Sequence, residues 1–237
     1  MKKDFKDLIT KSFTDRIILE ELKRNHDLQF NKAVNNIVDY HFKEKQMYVP
    51  TILKRVTDKG FKVFTTGTYN LNIIGVRTST NETNRFNDWL HVVFKDESEN
   101  WVDITFQITT DPGLYWLENP SRVEGTAILV PDQYRGSHKI GLHKGQYTAL
   151  TQVQKVKVYR DNNKNDVLDM DPDTIQDGYF GINIHRASST RESTQVDKWS
   201  AGCQVFADPN EYDAFISLCK RASKQWGDTF TYTLLED

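Results

Sequence analysis

The chain has 237 residues, which is enough for one large domain or for a catalytic domain with a small appendage. Hydrophobic residues make up 38% and aromatic residues 12%, so the sequence predicts a packed core and excludes a disordered chain. The formal net charge of −2 gives no basic footprint for nucleic acid, and no apolar run is long enough to predict a transmembrane segment.

The first part of the chain has a helical pattern. Apolar residues near one face predict a helix over about residues 27–45, preceded by an earlier helix or helix pair. Pro50 and Thr51 predict the start of a short third helix, which Lys59 and Gly60 end. We therefore expect a small helical N-terminal region over residues 1–67.

Strand patterns dominate the rest of the sequence. The runs LHVVF and WVDITFQITT predict two strands joined by the polar hairpin loop KDESEN, and the second run alternates apolar and polar residues. Further strands are predicted at FKVFTTG, NLNIIGVRT, TAILV, KVKVY, YFGINIH and FTYTLL. The sequence thus predicts an α+β fold, with a mostly-β domain over residues 68–237.

The last helix has clear signals at both ends. Asp208, Pro209 and Glu211 form an N-terminal capping pattern, and Gly227 predicts the C-terminal end. Helical spacing predicts a buried stripe of Tyr212, Phe215, Ile216, Cys219 and Ala222. Cys219 is therefore expected to be a packing residue.

The other cysteine, Cys203, follows Gly202 in the run WSAGCQVF. A thiolate that attacks a carbonyl needs N–H donors for the oxyanion and a partner that lowers the thiol pKa. We expect the Gly202 and Cys203 amides to be those donors and His185 to be that partner. Alternation in YFGINIHR places His185 and Asn183 on one face and Ile184 on the other.

The segment between His185 and Cys203 is polar and long enough to cover a groove. Trp199 and Ser200 come just before the cysteine turn. Ser200 is expected to orient His185 or to donate to the oxyanion, and Asp197 to orient the imidazole. Spacing alone does not distinguish these roles.

A histidine on a strand followed by Ser-x-Gly-Cys resembles the catalytic signature of the L,D-transpeptidase (YkuD-like) family. The matching runs are Ile184-His185 and Ser200-Ala201-Gly202-Cys203. TTDPGLYW, residues 109–116, looks like the Thr-Pro-x-Gly-aromatic segment of that family, and GSHKIGLHKG, residues 136–145, like its groove-lining Gly/His-rich stretch. The resemblance covers residues 68–237. Ala201 stands where the family has a second histidine, and Val205 where it has Asn or Arg.

The resemblance implies an L,D-transpeptidase-like fold and cysteine acyl transfer on peptidoglycan stem peptides. Cys203 would be the nucleophile and His185 the base, with Ser200 and Gly202 completing the catalytic turn. The expected substrate-binding residues are Asn183, Arg186, His143 and Trp199. No metal or cofactor is expected, and the oligomeric state is not indicated.

We favour hydrolysis, as in an L,D-carboxypeptidase or endopeptidase, because Ala201 and Val205 alter the acceptor side of the pattern. The start of the chain, MKKDFKDLITKSFTDR, also lacks the apolar segment of a secretory signal. We therefore expect synthesis in the cytoplasm and action at the cell wall, as a phage or prophage lysin or a virion-associated enzyme. The alternatives are L,D-transpeptidase cross-linking and an inactive virion or cell-surface structural protein with the same fold.

Two possible metal-binding patterns in the sequence are less specific than the cysteine–histidine pattern. His138, His143 and His185 would make a three-histidine zinc site. The first two, however, lie in a predicted glycine-rich loop, at a spacing that is not typical of such a site. A calcium-loop pattern in DNNKNDVLDMDPD places Asp161, Asn163, Asn165 and Asp169 at ligand positions, without the usual glycine and final glutamate. We interpret that run as a solvated hairpin loop, with a calcium site as the alternative.

Overall fold

A computed structural model describes residues 49–79 and 82–237. The predicted helices before residue 49 lie outside these residues. The described chain belongs to one compact unit, Val49–Asp237, which includes residues 49–67 together with the strands.

The described helices are α1 (Thr51–Asp58), α2 (Leu114–Glu118) and α3 (Pro209–Trp226), with a 3-10 helix at Pro172–Thr174. The predictions of α1 and α3 are confirmed, including the end of α1 at Lys59 and all five residues of the buried stripe on α3. Asp208 caps α3 by accepting from the Asn210 N–H. Glu211 instead accepts, at 3.4 Å, from the backbone N–H of Gln107 on a neighbouring strand. Within residues 49–79 and 82–237, no helix has both the length and the apolar character needed to cross a membrane.

The described strands are β1 (Asn72–Arg77), β2 (Asp88–Lys95), β3 (Trp101–Thr109), β4 (Thr126–Leu129), β5 (Gln133–His143), β6 (Tyr147–Gln152), β7 (Val156–Asp161), β8 (Gln176–Gly178), β9 (Ile184–Arg186), β10 (Gln204–Phe206) and β11 (Thr229–Glu236). A closed barrel has the order β1-β11-β5-β6-β9-β10-β3-β2, and a separate sheet has the order β4-β7-β8. The pairs β1–β11 and β9–β10 are parallel, while the other pairs are antiparallel. The mostly-β prediction is confirmed.

Strand alternation sorts side chains into two apolar layers. On β1, Ile73 joins the main core, which also contains Leu90 of β2 and Phe215 of α3. Its neighbour Ile74 faces the other way and packs with Leu53 of α1. The amphipathic α1 therefore covers one outer face of the sheet, as its apolar spacing predicts.

The predicted strand at residues 61–67 is wrong, because side-chain amides occupy its backbone groups. The N–H and C=O of Phe64 bond to the amide of Asn72 at 2.8 and 3.0 Å. Lys62 is held in the same way by Gln133, at 2.9 and 2.8 Å. These backbone groups are satisfied without a ladder partner.

Two other segments differ from expectation. YFGINIH is predicted as one strand, but only Ile184–Arg186 is regular. The Gly/His-rich stretch, predicted as a loop, forms the end of β5 and its hairpin turn to β6. The loop over residues 162–175 does connect an antiparallel pair, β7 and β8, as predicted.

A buried cation ties the barrel to the second sheet. Arg77 of β1 is 2% exposed and pairs with Asp111 at 2.8 Å. Its guanidinium also donates to the carbonyls of Leu129 on β4 and Thr110, at 3.0 and 3.2 Å. A charged residue is tolerated here because its N–H groups are matched by oxygen acceptors.

We predict that Arg77→Ala lowers the free energy of unfolding by about 3–5 kcal/mol, because it leaves the Asp111 carboxylate unpaired in a buried site. Arg55→Ala is the matched control, since Arg55 pairs with Asp237 on the exposed surface. That change should cost no more than about 1 kcal/mol. Urea denaturation at neutral pH measures both. Equal losses for the two variants would contradict this role of Arg77.

Candidate active site

The turn before Cys203 is shaped by Gly202 and Ser200. Gly202 has φ +115°, and a Cβ built there would lie 2.3 Å from the carbonyl oxygen of Ala127. Ser200 is fully buried, and its Oγ accepts from the Gly202 N–H at 3.1 Å and donates to the Cys203 carbonyl at 2.8 Å. Ser200 therefore closes the turn, and its hydroxyl makes no hydrogen bond to His185. Its donation to an oxyanion stays a prediction.

The TTDPGLYW segment supports this turn from the other side. The Gly113 N–H donates to the Ser200 carbonyl at 2.9 Å, and a Cβ on Gly113 would lie 2.0 Å from the Asp197 carbonyl oxygen. Asp197 is exposed, and its carboxylate accepts from the Asn84 amide at 2.8 Å. Asp197 thus fixes the turn and does not orient the imidazole of His185 as predicted.

The Cys203 thiol lies among backbone groups. Its Sγ accepts from the Asn183 N–H at 3.4 Å and donates to the Gly181 carbonyl at 3.3 Å. Among the described residues, the Cys203 N–H makes no hydrogen bond, whereas the Gly202 N–H is taken by Ser200. Of the two predicted oxyanion donors, only the Cys203 amide is free.

The parallel pairing of β9 and β10 places Cys203 near His185. Val205 lies opposite His185 in the register, and the Gln204 N–H donates to the Asn183 carbonyl at 2.9 Å. Cys203 and Val205 therefore share a sheet face with Asn183 and His185, while Ile184 points into the main core. The two candidate residues are diagonal neighbours on this face.

His185 is held in one orientation by its neighbours. Its Nδ1 lies 2.8 Å from the Arg186 carbonyl and 3.3 Å from the Tyr147 hydroxyl. Because a carbonyl only accepts, Nδ1 carries the proton and Nε2 the lone pair. The ring stacks on His143 with centroids 4.0 Å apart. His185 makes no hydrogen bond to the Cys203 thiol in this state, although both lie on the same face.

Asn183 and His143 form the wall beside the thiol. The Asn183 amide donates to His143 Nδ1 at 3.2 Å and accepts from the Gln152 N–H at 2.9 Å. Its side chain is thus occupied by protein contacts, and its backbone N–H contacts the Cys203 sulfur. His143 is 7% exposed, and its remaining nitrogen, Nε2, has no partner among the described residues.

Two residues of the site were missed by the sequence analysis. Tyr147 opens β6, where it donates to the Arg186 carbonyl at 3.1 Å and packs under the Arg186 guanidinium at 4.1 Å. Lys144 lies in the turn between β5 and β6, and its charge acts on both Cys203 and His185. The Lys-Gly pair followed by the strand-like run YTALTQ is a sequence signal that would have predicted this hairpin. Trp199, a predicted substrate-binding residue, lies in the preceding turn with 45% of its surface exposed.

The site holds a neutral thiol and a neutral imidazole. Burial raises the pKa of the Cys203 thiol, against the opposing effects of the Asn183 N–H and the Lys144 charge. Burial, with the His143 and Lys144 charges, lowers the pKa of His185 to about 3. The Asn183 N–H and the Lys144 charge, and not the expected partner His185, act to lower the thiol pKa in the resting state.

A second layer fixes the segment that leads into β9. The Gln152 amide oxygen accepts from the N–H groups of Phe180 and Ile182, at 3.1 and 2.9 Å. His138 is fully buried and donates from Nε2 to the Ile182 carbonyl at 2.9 Å. These contacts position the neighbouring Gly181 carbonyl and Asn183 N–H, which are the groups that bind Cys203.

The three histidines of the zinc alternative do not converge. His138 uses its second ring nitrogen as well, on the Ser137 hydroxyl at 2.8 Å, whereas His143 and His185 stack on each other. No group of three or more His, Cys, Asp or Glu side chains within residues 49–79 and 82–237 is arranged to hold a metal ion.

The polar loop before Cys203 is fastened to the body of the domain. Backbone bonds join Ala187 to Phe206 and Ser193 to Ala207, both at 3.0 Å. A groove beside this loop is lined by polar groups that include Arg85, Gln107 and Glu192, but by neither Cys203 nor His185.

No protein-family model, curated protein or solved structure matches this chain. The chemistry of the site therefore has to be inferred from its own residues. They supply a thiol, an imidazole with a defined tautomer, one free backbone donor and nearby positive charge.

We predict that Gly202→Ala destabilises the protein far more than Gly145→Ala. Both glycines have positive φ, but a Cβ at Gly145 would meet nothing within 4 Å. The control should lose about 1–2 kcal/mol from backbone strain alone, and Gly202→Ala at least about 2 kcal/mol more from the clash with Ala127. Urea denaturation provides the measurement. Similar losses would mean that the turn has room to shift.

We also predict an acid-sensitive stability that depends on His138. Burial lowers the pKa of His138 from 6.5 to about 4, so the unfolded chain takes up this proton first as the pH falls. Stability is therefore fully present above pH 6.5 and is lost as the pH drops towards about 4. From pH 7 to about pH 4.5, the protein should lose about 2–3 kcal/mol more than His138→Gln does.

The comparison with His138→Gln isolates one histidine from the other titrating groups. Asp88, for example, has a pKa raised to about 6, chiefly by burial, and contributes in the opposite direction. Identical pH dependence of the urea midpoint in both proteins would contradict the assignment.

Proposed function

We propose that the protein is a cysteine acyl-transfer enzyme of L,D-transpeptidase-like fold that acts on peptidoglycan stem peptides. The observation that carries the proposal is the register of β9 and β10, which puts Cys203 and His185 on one face of the sheet. The thiol shares a sheet face with an imidazole whose lone pair is fixed on Nε2 by the Nδ1 contact to Arg186. A nucleophile next to a base that is itself oriented by a third group is the pattern of covalent catalysis.

In the proposed reaction, the Cys203 sulfur attacks the carbonyl of the third stem residue while His185 Nε2 takes the thiol proton. The Cys203 N–H, which has no partner among the described residues, would donate to the developing oxyanion. The amide C–N bond then breaks, and the imidazolium gives its proton to the leaving amine. Water attacks the resulting thioester with His185 as base, which releases the acid and restores the thiol. Since both groups are neutral at rest, proton transfer accompanies the attack.

Charge around the thiol supports an anionic substrate. The cation Lys144 acts on both Cys203 and His185, and the cation Arg186 acts on His185. Stem peptides carry carboxylates close to the bond in question, and a fixed cation attracts them into a partly buried site. Arg186, held against Tyr147, is in place to bind such a group.

Water is favoured over an amine as the acceptor. Of the two positions that carry polar side chains in the resembling family, one is Ala201. The other, Val205, is buried in an apolar cluster with Phe86 and Val196. Neither side chain offers a hydrogen-bonding group to an incoming amine. Hydrolysis, with release of D-Ala or opening of a cross-link, is the outcome that this composition supports.

One observation favours a second candidate, an inactive structural protein with the same fold. The thiol donates to the Gly181 carbonyl and is not hydrogen-bonded to His185, and its pKa is raised by burial. A cysteine kept protonated in this way resembles a packing residue more than a resting nucleophile.

We predict that purified muropeptides lose D-Ala or a cross-link in the presence of the protein, as read from their masses. Cys203→Ala and His185→Ala should each lower this rate by at least about 100-fold. The matched controls are Cys219→Ala, which changes the core cysteine of α3, and His91→Ala, which changes a histidine paired with Asp103. Both should keep most of the activity.

Because the resting pair is neutral, the free protein should show no thiolate absorbance at neutral pH and should alkylate slowly. Gain of an acceptor mass would mean cross-linking instead of hydrolysis. Product formation that survives Cys203→Ala would refute the proposal, and a wild-type protein that converts no muropeptide would support the structural alternative.

A further inference from the structure

The loop between β7 and β8 carries an unbalanced negative charge. Residues 161–173 contain five aspartates and one lysine. None of the ion pairs found within residues 49–79 and 82–237 includes an aspartate of this loop. Charge alone does not make a binding site, since most of these side chains are exposed to water. One of them is not.

Asp161, at the end of β7, is 1% exposed. One carboxylate oxygen, Oδ2, accepts from the Asp169 N–H at 3.1 Å. The other oxygen, Oδ1, is the only fully buried side-chain nitrogen or oxygen atom among the described residues that has no hydrogen-bond partner. A buried carboxylate oxygen with no partner is costly, and it calls for a cation or a proton.

The surroundings of Asp161 favour a cation. The Asp169 N–H donates to the Asp161 carboxylate, so Asp169 lies next to Asp161 in the loop. The Asn163 amide donates to the Asp169 carboxylate and keeps it within the loop. The Asp169 carboxylate is thus held close to the Asp161 carboxylate, which has an unpaired oxygen. Two neighbouring carboxylates of this kind are typical ligands of a divalent cation.

The other donors alternate along the loop. The side-chain oxygens of Asn163 and Asn165 turn back on the loop, to the N–H groups of Asn165 and Val167 at 3.2 and 2.8 Å. Together with Asp161 and Asp169, they give oxygen ligands at positions 1, 3, 5 and 9 of the loop, counted from Asp161. We propose that this loop binds a calcium ion through the side chains of Asp161, Asn163, Asn165 and Asp169.

The donor set selects calcium among common metals. It contains only carboxylate and amide oxygens, and neither His nor Cys, so it does not suit zinc. Magnesium demands a near-ideal octahedron, while calcium accepts irregular sets of six to eight oxygens, including backbone carbonyls and water. With two carboxylates and no bidentate glutamate, the expected dissociation constant is on the order of 10⁻⁴ M.

Calcium would fix the connection that leads towards the candidate active site. From the loop, the chain runs through the 3-10 helix Pro172–Thr174 and β8 to the segment that binds Cys203. Met170, near the end of the loop, contacts the buried Arg77 at 3.5 Å. The calcium site is independent of the proposed acyl transfer, because none of its ligands contacts Cys203 or His185.

The test is a calcium titration of the full chain after treatment with EGTA, with the thermal midpoint and isothermal calorimetry as readouts. Calcium should raise the midpoint and saturate with one site per chain. Asp161→Asn should weaken binding at least ~10-fold, and its calcium-free form should be no less stable than the parent, since it removes a buried charge. Asp166→Asn, which removes the same charge at an exposed position of the loop, should weaken binding less than ~3-fold.

Asp169→Asn provides a second ligand variant at a partly exposed position. It should lose calcium binding without loss of the fold. No calcium response in the parent protein would overturn the proposal. So would an equal response to magnesium at the same ionic strength, or equal weakening by Asp161→Asn and Asp166→Asn.

Discussion

The parallel pairing of β9 with β10 is the contact on which the candidate site depends. Each strand has only three residues, yet their register alone places His185 and Cys203 on one face of the barrel. Such a short pair is not stable by itself, so its position is set by neighbours. The buried hydroxyl of Ser200 closes the turn into β10, and Gln152 with His138 holds the segment that enters β9. Polar groups without a catalytic role in the proposal thereby position the thiol and the imidazole.

Burial decides the protonation state of the site. It raises the pKa of Cys203 and lowers that of His185, so the site resists the ion pair that an exposed cysteine and histidine would form. Two groups oppose this effect at the sulfur, the Asn183 N–H and the Lys144 charge. An anionic substrate next to Lys144 and Arg186 would change the balance again, because it would neutralise the cations that disfavour a protonated His185. The proposed chemistry is thus tied to substrate binding rather than to a reactive free thiol.

Local signals in the sequence predict local structure well here. Caps and apolar spacing identify α3 with its buried stripe, and alternation identifies the β2–β3 hairpin. The barrel closure, in which the last strand β11 runs parallel to β1, joins distant parts of the chain and leaves no local pattern. Pairing between distant parts of the chain also explains why only part of the candidate site was predicted. Gly202-Cys203 and His185 stand out in the sequence, but Tyr147, Lys144 and Gln152 reach them only through the register of β6. The irregular course of residues 61–67 was missed because the side-chain amides of Asn72 and Gln133 make the hydrogen bonds that a neighbouring strand would otherwise make.

The most direct test of the central claim uses a stem-peptide analogue with a nitrile in place of the carbonyl that Cys203 is proposed to attack. A nucleophilic thiol adds to this group and forms a thioimidate, which intact-protein mass spectrometry detects. Catalysis by Cys203 and His185 predicts one adduct per chain, mapped to the peptide that contains Cys203, and loss of this adduct in His185→Ala. An adduct on Cys219, an adduct that forms equally well without His185, or no adduct at all would contradict it.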